Sequence, residues 1–410
     1  MSKIKDIPKN WEIMQLKEAC EVVTGTTPPK ADKSNYGSSI PFFKPPHLWD
    51  SIISETDEML SNTGASKARI VPPNTVLVTC IGNLGRTGLV NKKAAFNQQI
   101  NAILENDILT GKFIFYQAQS PNFKNQLEKL ATGTTVSIVN KGNFETINIC
   151  IPPLPEQQAI VSKIEELLSK LENGKQQLLT AQQQLKVYRQ SLLKWAFEGK
   201  ITNKNVKEGE LPKGWKFEEL KNLCVIKRGK SKHRPRNEPA LYGGKYPFIQ
   251  TGDIREVKGG YIKKYSQTYS ELGFQQSKLW PKGTLCITIA ANIGETAILD
   301  FDACFPDSVV GLLSDEKLLL NNYTNYFFIS HKSKLEKLAP ATAQKNINVD
   351  ILEKVRIPLP SIEEQQHIVS ELESKLTVCD KIEETICQSL LQAETLRQSI
   401  LKKAFEGNLP

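Results

Sequence analysis

The chain has 410 residues, a formal net charge of +9 and a pI near 8.9, with 40% hydrophobic and 24% charged residues. That length accommodates two or more domains with real cores, and the composition is that of a globular protein, which excludes a disordered or fibrous chain. The modest basic excess favours an anionic partner without specifying one. Neither the opening MSKIKDIPKNW nor any later run has the apolar stretch of a signal peptide or a bilayer span, so a cytoplasmic protein with no membrane partner is expected. The eight cysteines are scattered with no C-x-x-C pair, as reduced, mostly buried thiols are, and the four histidines fall in no metal-like spacing.

In chain order, residues 1–154 read as a first globular unit of α+β class. Short β-rich runs such as 75–81 sit between Gly, Pro and Asn clusters, and 107–119 and 122–130 read as helices. Residues 155–199 carry the longest helical pattern. Ile164, Leu171, Leu178, Leu185 and Leu192 recur every seven, and Ile160, Leu167, Ala181, Tyr188 and Trp195 form a second series. Pro155 suits the first turn and Gly199 the stop, giving a rod roughly 65 Å long that needs a packing partner. Residues 200–211 are polar and aperiodic, a linker. Residues 212–360 read as a second unit, with strands at 284–290 and 294–299 and a helix near 321–337. Residues 361–410 supply the partner rod, opened by a capping box of Ser361 with Glu364, with a seam of Ile368, Leu372, Cys379, Ile382, Ile386, Leu396 and Ile400.

The two halves repeat at a spacing of about 208 residues. Pro8-Lys9-Asn10-Trp11 matches Pro212-Lys213-Gly214-Trp215, and Glu156-Gln157-Gln158 matches Glu364-Gln365-Gln366. Arg189-Gln190-Ser191 matches Arg397-Gln398-Ser399, and Ala196-Phe197-Glu198-Gly199 matches Ala404-Phe405-Glu406-Gly407. The period is too long for a solenoid unit, so a domain has been duplicated together with its helix.

The densest positive run is Lys227, Arg228, Lys230, Lys232, Arg234 and Arg236, interrupted by Gly229 and Pro235. It reads as a basic loop, either a phosphate clamp or a solvated surface segment. Its counterpart 24–30 is polar and ends at Lys30. A second loop pair holds Thr134, Thr135 and Lys141 in the first half and Gln344, Lys345 and Asn346 in the second. Their side chains can donate to phosphates and base edges, or serve as ordinary polar connections. The stretches 81–86, ending at Arg86, and 291–295 read as tight turns after strands. Lys44-Pro45-Pro46-His47 lacks the ends of an amino-methyltransferase motif, although Lys44 remains a candidate DNA contact. No nucleotide-binding glycine motif is present. One permissive nuclease pattern exists, Asp307 followed by Asp315, Glu316 and Lys317, whose carboxylates would hold Mg²⁺.

Taken together, the paired Pro-Lys-x-Trp starts, Glu-Gln-Gln helix openings and Ala-Phe-Glu-Gly helix ends resemble the specificity (S) subunits of type I restriction–modification systems over essentially the full length. The resemblance implies two similar α+β target recognition domains, each reading half of a split double-stranded DNA sequence. It implies two long antiparallel coiled-coil helices between them, a pseudo-twofold internal repeat that matches the twofold geometry of duplex DNA. It also implies two methyltransferase (M) subunits using S-adenosylmethionine, and restriction (R) subunits using ATP and Mg²⁺. The S chain itself would hold no cofactor, no metal and no catalytic residue. Tyr188, Trp195, Phe197 and Phe405, at the helix ends, are candidates for anchoring partner chains or for capping the seam. A stand-alone nuclease and a protein-only coiled-coil adaptor are the competing readings.

Overall fold

The computed structural model describes residues 7–409 except 204, 233, 234, 236, 291 and 339–345. The chain forms two compact units: Met1–Leu179 with Cys387–Pro410, and Thr180–Ile386. These cut across the segments expected from sequence, because each unit takes part of both long helices into its core.

The first unit holds β1 (Glu12–Gln15), β2 (Val22–Thr24), β3 (Tyr36–Phe43), β4 (Ser51–Ile53), β5 (Met59–Leu60), β6 (Ile70–Val71), β7 (Val76–Thr79), β8 (Thr87–Val90), β9 (Ala94–Phe96), β10 (Ile100–Ile103) and β11 (Asn148–Ile151). A five-stranded sheet runs β2-β10-β7-β8-β4, with β4 parallel to β8 and its other ladders antiparallel. A four-stranded sheet, β5-β3-β9-β6, and the pair β1-β11 complete the β layer. The strands β7, β8 and β10 are buried along their whole length, with Thr79, Thr87 and Asn101 buried among their apolar residues. Helix α1 (Gly111–Ala118) and α2 (Pro121–Lys129) pack on the sheet. They are separated by Ser120, whose hydroxyl accepts the Phe123 amide and starts a new helix on Pro121.

The second unit repeats the plan with β12 (Lys216–Glu219), β13 (Cys224–Arg228), β14 (Tyr242–Phe248), β15 (Tyr261–Ile262), β16 (Gln267–Tyr269), β17 (Leu285–Thr288), β18 (Thr296–Leu299), β19 (Val309–Ser314) and β20 (Arg356–Leu359). Its large sheet, β13-β19-β17-β18-β15, has the same order as that of the first unit, strand for strand. The expected helix is α4 (Asn321–Leu338), continuous where the first unit has a break.

The long rods are α3 (Leu154–Phe197) and α5 (Ile362–Phe405), each 44 residues, or about 66 Å. Within the first unit, Ile160, Val161 and Ile164 near the start of α3 share a core with Leu401, Ala404 and Phe405 at the end of α5. Within the second, Leu185, Leu192 and Ala196 near the end of α3 share a core with Ile368, Leu372 and Cys379 near the start of α5. In each unit, therefore, the rods run antiparallel.

The echoed motifs meet at one junction per unit. In the first unit Trp11 Nε1 donates to Glu156 Oε1 (2.8 Å), and in the second Trp215 Nε1 donates to Glu364 Oε2 (2.9 Å). Gly407 (φ 72°) and Gly199 (φ 74°) end the rods in the left-handed region that glycine tolerates. A Cβ there would strike Pro8 at 2.3 Å and Pro212 at 2.1 Å, so the helix-end glycine and the proline that opens each domain are fitted to one another. Gln157 and Gln365, both fully buried, bind three backbone groups each. Gln157 accepts from Thr110 N and donates to Ile108 O and Pro152 O; Gln365 accepts from Leu320 N and donates to Leu318 O and Pro360 O.

Three expectations change. The capping box at Ser361 is half formed: its hydroxyl accepts the Glu364 amide (3.3 Å), but the Glu364 carboxylate turns to Trp215, Thr202 and Asn203. Those last two residues tie down the start of the expected linker. On the rods, Tyr188, Trp195, Ile382 and Leu396 are exposed and lie off the seam, while Arg189 and Ala393 turn inward. A straight helix of 3.6 residues per turn drifts away from a strict seven-residue series.

Candidate nucleic-acid interface

In the first unit the β7–β8 turn has Gly82 and Gly85 at φ 79° and 75°, and the Thr79 hydroxyl bonds across it to Asn83 O. The stretch 132–138 closes on itself through Thr132 and Ile138, whose amides and carbonyls exchange bonds of 2.9 Å. It then seats on that turn by Gly82 N to Ser137 O (2.9 Å) and Val139 N to Cys80 O (2.8 Å). The two loops read separately in the sequence thus form one tongue-and-turn surface, with Thr134 and Thr135 exposed on it. Lys141, just beyond, opens a short helix and pairs with Glu145 (3.4 Å).

Arg86 lies at the foot of the turn with its guanidinium 4.3 Å from the Trp49 ring centre. Trp49 is 66% exposed and, with Asp50, lines a cleft against Leu168, Leu171 and Ala393 of the rods. The next residue, Asp50, is held at φ 56° by bonds from Thr87 N and Oγ1 (2.9 Å each) to its carboxylate. Sequence reasoning missed Trp49, whose only signal is a tryptophan between apolar Leu48 and acidic Asp50. Lys30 is exposed. Lys44 is not available in the same way: its ammonium is paired with Glu58 and lies 5.5 Å from the Phe42 ring, so its charge is neutralised within the fold.

Among the described residues, the second unit makes the equivalent junction. Ala290 bridges Asn346, and Ile347 N donates to Ile289 O (3.0 Å), beside a turn with Gly294 at φ 79°. Asn346 is exposed, while Gln344 and Lys345 lie outside the described residues, as do Arg234 and Arg236. Lys227 and Arg228 belong to β13, not to a loop, because they continue its ladder with β19. Arg228 Nε donates to the Asp307 carbonyl. Lys230 and Lys232 are exposed just beyond the strand, and Lys278, unremarked in the sequence, sits nearby with its ammonium 4.1 Å from the Trp280 ring centre.

Two of the partner-anchoring candidates are core residues. Phe197 packs on Tyr323 and Phe327, with ring centres 5.1 and 5.4 Å away, and Phe405 packs edge-on to Phe113 at 5.2 Å; both are at least 95% buried. Tyr188 and Trp195 are exposed and remain free to meet a partner.

The nuclease pattern does not assemble. Asp307 precedes β19 and Asp315 follows it, so the two carboxylates stand at opposite ends of a six-residue strand, about 20 Å apart. Asp315 accepts the Lys317 amide (3.1 Å), a turn-capping role. Among the described residues no group of three His, Cys, Asp or Glu side chains is placed to hold a metal ion. All eight cysteines are free; burial pushes the Cys80 and Cys224 thiols up to about 12, far from a nucleophile's range. No helix among the described residues is long and apolar enough to cross a membrane.

Residues 8–181 and 212–392 each match the family described as "Type I restriction modification DNA specificity domain". The chain is 26% identical over 390 residues to the type I restriction enzyme EcoBI specificity subunit of Escherichia coli, covering 87% of this chain and 80% of that one. Its fold matches the HsdS subunit from Thermoanaerobacter tengcongensis at a TM-score of 0.68, with 21% identity and 98% of both chains covered. A chain solved in work on complex assembly and conformational transition of the type I R-M system matches at 0.78, again at 21% identity, covering 98% of this chain and 99% of that one.

Proposed function

Because the chain belongs to the type I restriction modification DNA specificity family, we propose that it reads a two-part double-stranded DNA target, one half with each unit, and catalyses no reaction itself. The observation that carries this reading is a junction repeated in both units, where the strand end before the turn pairs with a later polar segment. Val139 N donates to Cys80 O and Ile81 bridges Ile138 in the first unit, as Ile347 N donates to Ile289 O and Ala290 bridges Asn346 in the second, while the side chains differ. One scaffold with two unlike polar surfaces reads an asymmetric sequence, where identical surfaces would read a palindrome.

Two methyltransferase chains, using S-adenosylmethionine, would methylate adenine within that target. Restriction chains, with ATP and Mg²⁺, would join the same assembly in the cytoplasm. Exposed apolar side chains on the rods, Val187, Tyr188, Trp195, Val378 and Ile382 in the second unit and Leu391 and Leu396 in the first, support docking of those chains. The separated nuclease carboxylates support the absence of chemistry on this chain.

The deciding experiment replaces residues 1–154 with the corresponding domain of another family member and maps methylated adenines in DNA from cells that also carry the methyltransferase chain. One half of the modified sequence should change and the other should stay. An unchanged sequence refutes the reading.

A further inference from the structure

We propose that Lys227, Lys230 and Lys278 form a seat for a DNA backbone phosphate on the second unit, which rests on the DNA reading above and gives it a specific electrostatic anchor. Two chain segments build it. Gly229 presses against the 305–306 backbone so closely that a Cβ would lie 2.4 Å from the carbonyl oxygens of Phe305 and Pro306. Its neighbour is fixed there by Lys230 N to Phe305 O (3.2 Å), and Ser277 Oγ donates to Lys230 O (2.9 Å), tying the second segment to the first. Lys278 follows Ser277. Its ammonium rests over the fully buried Trp280 ring, which is itself stacked on Phe305 at 4.9 Å.

None of the three ammonium groups has an acidic partner among the described residues, whereas Lys282 is paired with Asp300 and Lys332 with Glu295. Burial, and then repulsion from Lys227 and Lys230, holds the Lys278 amine below its ordinary value. Repulsion among neighbouring cations is relieved by an anion placed among them, and a phosphate oxygen has the charge and acceptor capacity to do so. The corresponding strip of the first unit packs in the same manner, with Gly25 against the 96–97 backbone, but presents Thr26, Thr27 and a single lysine at position 30. The asymmetry extends to whole segments. Residues 212–360 contain 23 Lys and Arg against 15 Asp and Glu, and residues 1–154 contain 16 against 13, so the salt-sensitive grip falls on the second unit.

The test uses the full chain and a duplex of arbitrary sequence, since a phosphate contact is independent of sequence. Lysines are acetylated with and without duplex and quantified by mass spectrometry, with inorganic phosphate at matched ionic strength as a third arm. The seat predicts that duplex, and not inorganic phosphate, protects Lys278. It also predicts that Lys278→Gln weakens duplex binding about tenfold and lowers the slope of log affinity against log salt by about 1, with Lys278→Arg restoring both. Equal Lys278 acetylation with duplex bound, together with an unchanged slope in Lys278→Gln, overturns the seat and leaves the DNA reading standing. Protection by inorganic phosphate equal to that by duplex overturns the assignment to a backbone phosphate. Failure of the unaltered chain to bind duplex at low salt overturns the seat and the DNA reading together.

Discussion

The junction of the first unit, with Pro8 against Gly407 and Trp11 bonded to Glu156, and that of the second, with Pro212 against Gly199 and Trp215 bonded to Glu364, are made of the same residues in the same bonds. Away from the junction the likeness fades. The first unit breaks its sheet-packing helix at Ser120-Pro121, whereas α4 runs unbroken for 18 residues. The repeated arginine also diverges: Arg189 bonds Asp380 and Glu383 on the facing rod, while Arg397 turns away to Gln119. The comparison teaches that the residues copied at the junction keep their bonds because they hold a domain to its helices, while the packing away from it is free to diverge even where the residue is copied.

The largest test of this view removes the aromatic ends of the rods. Phe197→Ala and Phe405→Ala should each cost about 4 kcal/mol, read as the shift in the urea midpoint. Phe197→Ala should cost more, because Phe197 touches Tyr323, Phe327 and His331 where Phe405 meets Phe113 edge-on. A loss below about 1 kcal/mol in either would show that these rings do not hold the cores. Next come the buried glutamines. Gln157→Leu and Gln365→Leu each strand three backbone groups, at about 1 kcal/mol or more apiece, so losses of about 3 kcal/mol are expected. The two should agree within about 1 kcal/mol, and a wider gap would break the equivalence of the junctions.

The smallest effect separates the units. Burial holds His331 neutral in the fold and lowers its pKa to about 4, with its ring stacked on Phe327 at 4.2 Å. An unfolded histidine takes up its proton near pH 6.5, so the unfolded state gains protons first as pH falls. Stability should be flat above that pH and should drop by about 2 kcal/mol on the way down to pH 4. The helices α1 and α2 of the first unit carry no histidine. Urea midpoints between pH 8 and 4, compared for the unaltered chain and His331→Phe, check this: the substitution should remove that part of the acid sensitivity. An unchanged pH profile would count against it.

Much of the frame was legible before any coordinates. The echoes at Pro-Lys-x-Trp, Glu-Gln-Gln and Ala-Phe-Glu-Gly all trace to one junction, where short motifs are fixed by bonds to each other. The strands β7 and β17 and the helix α4 followed from apolar runs bounded by turn residues. What failed had a physical reason in each case. Of the two strict heptad series, Ile164, Leu185 and Leu192 of the first stay buried, while Tyr188 and Trp195 of the second are exposed, so only the first marks the seam along the whole rod. Lys227 and Arg228 read as a loop in the sequence because charge and a following glycine mask the pairing of β13 with β19, a partner more than eighty residues away. Lys44 looked free because its partner Glu58 lies fourteen residues on and across a fold that the sequence does not display. Trp49 and Lys278 were invisible for the opposite reason: each matters only through a neighbour, Arg86 and Trp280, brought to it by packing.

The split composition of the first unit has a consequence for how the protein is made. Its core includes Leu401, Ala404 and Phe405, so it cannot close until the ribosome has translated the chain through residue 405. During that interval Phe113 and the start of α3 stand exposed beside the exit tunnel, in want of a chaperone or of some other chain to shelter them.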